Sequence, residues 1–136
     1  MKYYVYILLA LLVVSGCSNQ YEEEFSFEDS YFGSEDKLTI YYFWGNTCPI
    51  CTQQKPFLDE LEQRHDVEIL RFEIYSNRTN QELFRRVANE YGVTVRGVPT
   101  TFIANQTFVG FSQRLAQEME DLVIKCLSEE CEEMLK

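Results

Sequence analysis

Leu38–Trp44 reads LTIYYFW, an unbroken run of apolar, β-branched and aromatic residues. Such a run suits a strand buried on both faces. After Gly45-Asn46-Thr47 the chain reads Cys48-Pro49-Ile50-Cys51 and enters a helical pattern, Pro49–His65, with Phe57, Leu58 and Leu61 on one side. An interior strand therefore hands the chain directly to a helix, and a cysteine pair sits at the joint. Cys48 falls at the N-cap and Pro49 at the first helical position, where its missing N–H is no loss. The free N–H groups of the first turn and the helix dipole point at the Cys48 sulfur and favour its thiolate. Cys51, one turn on, can close on Cys48 as a disulfide or resolve a mixed disulfide. A lone CxxC is also half of a zinc site. Its place between a buried strand and a helix is the more specific signal, and it points to thiol chemistry.

The rest of the chain alternates. Val67–Tyr75 is a candidate strand in which Leu70, Phe72 and Ile74 alternate with Arg71 and Glu73. Asn80–Tyr91 carries Leu83, Phe84, Val87, Ala88 and Tyr91 at helical spacing and is stopped by Gly92. Thr100–Ala104 and Thr107–Phe111 form a candidate hairpin about an Asn105-Gln106 turn. Ser112 is a candidate N-cap for a last helix whose apolar face is Leu115, Met119, Leu122, Val123 and Cys126. The order βαβαββα implies an α/β fold. Its opening gives a parallel pair with a right-handed crossover and its end an antiparallel hairpin. The result is a mixed four-stranded sheet with helices on both faces.

At 136 residues the chain has room for one domain. Its 22 acidic against 12 basic residues give a net charge of −10, which excludes a nucleic-acid binder that works by neutralising phosphates. The same balance excludes a polybasic membrane-surface binder. An apolar fraction of 46% supports a packed core rather than disorder. The five cysteines are too few for a disulfide-built miniprotein, so each needs its own account.

The N-terminus reads as an address. Lys2 precedes an apolar run, Val5–Val14, of ten residues. As a helix this run rises only about 15 Å, half of a hydrocarbon core, which suits a secretory signal rather than a span. Val14-Ser15-Gly16-Cys17 resembles the lipobox of bacterial lipoprotein signals. The resemblance implies cleavage after residues 1–16 and lipidation of Cys17, and hence a membrane-anchored chain facing the extracytoplasmic side of the cell envelope. The alternatives are an ordinary secretory cut that leaves Cys17 free and a buried core helix. Removing residues 1–16, Lys2 among them, leaves 120 residues and takes the charge from −10 to −11. Residues 17–37 then form an acidic tether, with seven acids and one base after Cys17. Its Tyr21, Phe25, Phe27, Tyr31 and Phe32 are more aromatic than a linker needs, so part of it can pack on the domain at 38–136 as a short helix or edge strand.

Two separated segments carry a further resemblance. Phe43-Trp44-Gly45-Asn46-Thr47-Cys48-Pro49-Ile50-Cys51 with Lys55-Pro56-Phe57, and Gly97-Val98-Pro99-Thr100-Thr101-Phe102, resemble the active-site and cis-proline segments of the thioredoxin-like family. The resemblance spans roughly residues 38–127. It implies a thioredoxin-like fold and thiol–disulfide oxidoreductase activity on cysteines of envelope proteins, with Cys48 as nucleophile and Cys51 as resolving thiol. It implies that Trp44, Val98 and a cis Pro99 contact the substrate. It calls for no cofactor beyond the Cys48–Cys51 pair and no metal ligands. With the anchor, it implies a membrane-embedded thiol donor or acceptor as redox partner. Two departures stand out. The buried acid that thioredoxin carries six residues before its first cysteine is Tyr42 here, so no carboxylate relay is implied. The Pro49-Ile50 dipeptide places no charge or hydrogen bond on Cys48, so it sets no direction of electron flow.

Cys126 and Cys131 remain. On an unbroken helix their Cα atoms would stand about 8–9 Å apart, beyond the reach of a disulfide. Some envelope proteins of the resembling family carry a C-terminal pair, and an oxidising compartment disfavours free thiols. A structural Cys126–Cys131 bond is expected on that ground, with the helix ending near Leu127 or Ser128. The alternatives are a buried core Cys126 and a relay to Cys48 and Cys51. His65, the single histidine, reads as a solvated helix cap. Against the oxidoreductase stand two other functions: a thiolate module for zinc or copper, and a disulfide-stabilised binding protein without turnover.

Overall fold

The strand Leu38–Trp44 (β1) occupies an inner place in the sheet, and its burial on both faces dictates that place. The computed structural model describes residue 33, residues 36–129 and residue 131. The expected signal, the lipidation site Cys17 and most of the acidic segment lie outside the described residues. After β1 come α1 (Pro49–Arg64), β2 (Val67–Glu73), α2 (Arg78–Glu90), β3 (Thr100–Ile103), β4 (Gln106–Val109) and α3 (Gln113–Ser128). β1 pairs parallel with β2, from Leu38↔Val67 to Trp44↔Glu73, and antiparallel with β3, from Ile40↔Ile103 to Phe43↔Thr100. β4 closes the sheet on the far side of β3, giving the order β2-β1-β3-β4.

Alternation along β1 divides the core. Ile40 and Tyr42 face one layer with Leu58 and Leu61 of α1 and Met119, Leu122 and Val123 of α3. Tyr41 and Phe43 face the other with Leu83, Phe84, Val87 and Ala88 of α2. Phe43 is the centre of that second layer. Its ring lies 5.2 Å from Phe72, 4.6 Å from Phe84 and, edge-on, 5.8 Å from Phe102. Such aromatic clusters hold through buried area and ring geometry together.

The helices begin where short polar side chains take the unpaired N–H groups of their first turns. Asn77 accepts from Asn80 N–H at 3.1 Å, so α2 starts two residues before the Asn80 expected from apolar spacing. Ser112 accepts from Leu115 N–H at 3.2 Å, as expected. At the end of α2, Gly92 takes a left-handed φ of 63°, open to glycine at no steric cost.

Two local expectations are corrected by contacts made across the fold. The hairpin turn is Ala104-Asn105, one residue earlier than Asn105-Gln106, because Gln106 pairs with Ile103. The Tyr91 hydroxyl donates to Ala104 O at 2.7 Å and fixes the turn at the buried Ala104, which sits at φ 50°. His65 caps the end of α1 as expected, but its side chain is not left to solvent: its Nε2 lies 3.1 Å from Glu120 Oε1, on a carboxylate that Arg64 also holds. That bond holds Glu120 below the ordinary carboxylate range and ties the end of α1 to α3. Arg71 reaches Asp59 at 3.0 Å and Glu62 at 2.9 Å, joining β2 to α1. As expected, α3 ends at Ser128 and Glu129 turns extended, which brings the Cys126 and Cys131 Cα atoms to 4.9 Å, with the two sulfurs bonded.

Phe43→Ala is expected to cost about 3–5 kcal/mol in urea denaturation, since it empties the centre of the α2 layer. Val109→Ala, on the exposed edge strand, is expected to stay within about 0.5 kcal/mol of the parent.

Candidate active site

The site forms where β1 ends and α1 begins. Cys48 caps α1 from an extended backbone, φ −95° and ψ 107°, and Pro49 fills the first helical position. Cys48 Sγ accepts the N–H of Cys51 at 3.1 Å. The Cys48 and Cys51 sulfurs are bonded, with Cα atoms 5.2 Å apart. No carboxylate stands in the first turn of α1, so nothing there opposes the attraction of the helix N-terminus for a thiolate. Between the cysteines, Ile50 is 45% exposed and gives this turn an apolar tip.

A second loop meets the first. The Val98–Pro99 peptide bond is cis, and the Val98 carbonyl oxygen lies 3.7 Å from Cys48 Sγ. Pro99 is buried, and its own carbonyl accepts the N–H of Gly110 at 2.8 Å. The Thr100 hydroxyl donates to Gly97 O at 2.7 Å and closes the base of the loop. Thus the structure brings Cys48, Cys51 and Val98 together, with Pro99 next in the chain. Trp44 ends β1, half-buried against the α1/α3 layer, and its carbonyl accepts Ile74 N–H at 2.9 Å. Cys126 and Cys131 belong to a separate place, the end of α3. Among the described residues no group of three or more His, Cys, Asp or Glu side chains could hold a metal ion.

Beneath the cysteines lies a polar layer that apolar patterning does not announce. Tyr42, at the position of the thioredoxin acid, is buried, and its hydroxyl donates to Cys51 O at 3.1 Å. Burial pushes its phenol up to about 12, against the opposing pull of Arg71, so it stays a donor at neutral pH. Gln54 is fully buried; its Nε2 donates to Thr101 Oγ1 at 2.8 Å, and its Oε1 has no partner among the described residues. Gln54 shares the spacing of Leu58 and Leu61, and that periodicity is the one sequence signal that places it inside.

Glu73 is the other residue that sequence reasoning passes over. Its carboxylate turns back from the end of β2 to accept the N–H groups of Tyr75 at 2.7 Å and Ser76 at 3.0 Å. It also takes the Ser76 hydroxyl, and it reaches Asn46 N–H at 3.4 Å in the loop before Cys48. This is why β2 stops at Glu73 rather than running to Tyr75. The bond from the Ser76 hydroxyl, with the N–H groups behind it, holds the carboxyl below its ordinary 4.5. A depressed value means that the ionised group stabilises the fold above about 4.5 and that this contribution is lost as pH falls through the depressed value. Glu73→Gln is therefore expected to lower the urea midpoint at neutral pH, and the gap to the parent should close on acidification. An unchanging gap from about pH 7 to pH 2.5 would show that the charge plays no part.

No protein-family model matches the chain, and no curated protein matches it in sequence. Solved structures do match in shape. A candidate thiol:disulfide interchange protein DsbE from Chlorobium tepidum superposes with a TM-score of 0.53 at 16% identity, over 67% of this chain and 80% of that one. A thioredoxin-like protein from Clostridium perfringens superposes with a TM-score of 0.50 at 21% identity, over 68% of this chain and 73% of that one. Identities this low speak for fold alone. The chain has a thioredoxin-like fold, with a CxxC pair, Cys48–Cys51, at the start of its first described helix.

Proposed function

We propose that the chain is a lipid-anchored thiol–disulfide oxidoreductase of the cell envelope, acting on cysteines of other envelope proteins. One observation carries the redox reading: a bonded Cys48–Cys51 pair at a helix N-terminus, with Cys48 Sγ against the Val98 carbonyl of a second loop. In the reducing direction the Cys48 thiolate attacks one sulfur of a substrate disulfide. The substrate S–S bond breaks, its second sulfur leaves as a thiolate, and a Cys48–substrate disulfide forms. The Cys51 thiolate then attacks Cys48 Sγ, releases the substrate's first sulfur and restores the Cys48–Cys51 bond. Two electrons have passed from the dithiol to the substrate. The reverse sequence oxidises a substrate dithiol.

Cys48 suits the first attack because it is the more accessible of the pair, 7% against 2%, and caps the helix dipole. Cys51 suits the second because it stays inside, next to the mixed disulfide. Val98 offers backbone beside Cys48 on which a substrate segment can pair as an added strand. Pro99 and Trp44 frame that segment. Cys126–Cys131 serves as a staple at the end of α3. The lipid on Cys17 and a membrane-embedded thiol donor or acceptor as redox partner complete the proposal. The lipid rests on the N-terminal sequence pattern, and the redox partner on that anchor together with the thioredoxin-like resemblance.

Cys48→Ser is expected to abolish exchange with a protein disulfide, and Cys51→Ser to accumulate a covalent complex visible on non-reducing gels. Continued exchange by Cys51→Ser with no trapped complex would sink the mechanism. For the anchor, cells fed radiolabelled fatty acid are expected to label the parent chain and leave Cys17→Ala unlabelled. Equal labelling of both would place the lipid elsewhere.

A further inference from the structure

An open groove of about 440 Å³ runs beside the two loops of the site, on the α2 side of the sheet. Tyr75, Phe84, Arg85, Val95, Arg96 and Gly97 line most of it. Two of its lining residues, Gly97 and Tyr75, adjoin the loops of the site. Gly97 directly precedes Val98, whose carbonyl lies 3.7 Å from Cys48 Sγ. The Tyr75 ring covers Gly45; a Cβ there would lie 2.4 Å from the ring, so only glycine admits this approach. The groove is thus continuous with the place where a substrate cysteine must sit.

Its chemistry is mixed in a particular way. Val95 and the half-exposed Tyr75 ring give it apolar surface, while Phe84, also in its lining, is buried. Arg85 and Arg96 are exposed at its margin, and neither forms an ion pair among the described residues, whereas Arg64, Arg71 and Arg114 each hold a carboxylate. No Asp or Glu lines the groove. The nearby Glu73 is occupied by Asn46, Tyr75 and Ser76. In a chain of net charge −10 this is a local reversal of sign beside the reactive sulfur. Exposed charges of this kind act on encounter and on the choice of partner more than on fold stability.

We propose that the groove receives the stretch of partner polypeptide next to the reacting cysteine and that Arg85 and Arg96 select a carboxylate in it. A strand paired on Val98 advances about 3.3 Å per residue, so a side chain two to four residues from the partner cysteine lies over Arg96 and the groove. The preferred partner carries Glu or Asp there, with an apolar side chain to lay against Tyr75 and Val95. This rests on the exchange reading of Cys48 and Cys51 and deepens it by naming what that site prefers.

The test uses the full chain in its reduced form and peptides that carry one cysteine as a mixed disulfide with neutral 2-mercaptoethanol. The peptides differ only in Glu or Lys three residues from the cysteine, and the second-order rate of exchange is measured for each. The ratio of the Glu rate to the Lys rate is expected to fall about threefold to tenfold in R85Q/R96Q, and to fall in the parent at about 0.5 M salt. R114Q/K125Q removes the same charge from α3, in the layer on the other face of the sheet, and is expected to keep the parent ratio. Equal loss of the ratio in both double variants would assign the preference to overall charge and overturn the groove. A ratio in R85Q/R96Q equal to the parent's would also overturn it, with exchange itself intact. Failure of every peptide to exchange would instead remove the oxidoreductase reading, and this inference with it.

Discussion

A strand that is apolar on both faces can be satisfied only with a layer on each side of it, and β1 meets that demand across seven residues. Everything near the site follows from that position. Because β1 is covered by α1 and α3 on one face and α2 on the other, its C-terminal end must emerge at the rim of the sheet between two helical layers. The chain then has three residues, Gly45 to Thr47, in which to turn before α1 begins. Cys48 is delivered to the helix N-terminus by this short connection. The antiparallel neighbour β3 begins at Thr100 opposite Phe43, so the loop before it, with Val98 and Pro99, arrives at the same rim. One strand in an inner position therefore sets two loops against each other, and the sulfur lies where they meet.

The polar layer under the cysteines shows what the core gives up for that arrangement. An unpaired amide oxygen shut away from water typically costs about 1–3 kcal/mol, and Gln54 Oε1 is such a group among the described residues. Its Nε2 bond to Thr101 ties α1 to β3 directly below the first turn. Tyr42 adds a second tie, from β1 to the backbone of Cys51. Both bonds fix the first turn of α1 relative to the sheet. A carboxylate at position 42 could take a proton from Cys51, but a phenol held near 12 cannot serve as a base at neutral pH. Tyr42 therefore acts by position, through a donor that stays protonated.

The sequence makes the strand–CxxC–helix joint legible because each of its parts is local. The apolar run, the cap residue and the proline lie within a dozen positions of one another, and their rules concern neighbours. The helix order, the cap at Ser112 and the stop at Gly92 are legible for the same reason. Glu73 is not, since its partner Asn46 stands 27 residues away and an acid on an alternating strand looks like solvated surface. The hairpin slips by one residue from its expected register because the Tyr91 hydroxyl, 13 residues distant, fixes Ala104. His65 is legible as a cap, but not its contact with Glu120, which α3 brings to it across 55 residues. The groove beside Gly97 joins α2 to the loop before Pro99, and no single window of sequence contains both.

The two bonded pairs occupy opposite ends of helices, and this separates their chemistry. Cys48 stands at the N-terminus of α1, where the unpaired N–H groups and the positive end of the dipole favour a thiolate. A thiolate so favoured both attacks and leaves readily, which keeps the Cys48–Cys51 bond exchangeable. Cys126 lies in the last turns of α3, at the negative end of the dipole, and the sequence around Cys131 reads Glu129-Glu130-Cys131-Glu132-Glu133. Both features oppose a thiolate. A thiolate of high pKa is a poor leaving group, so the Cys126–Cys131 bond is expected to exchange more slowly than Cys48–Cys51. Under the proposed function, the same linkage is a reactive centre at one helix end and a staple at another, and the sign of the local field distinguishes them.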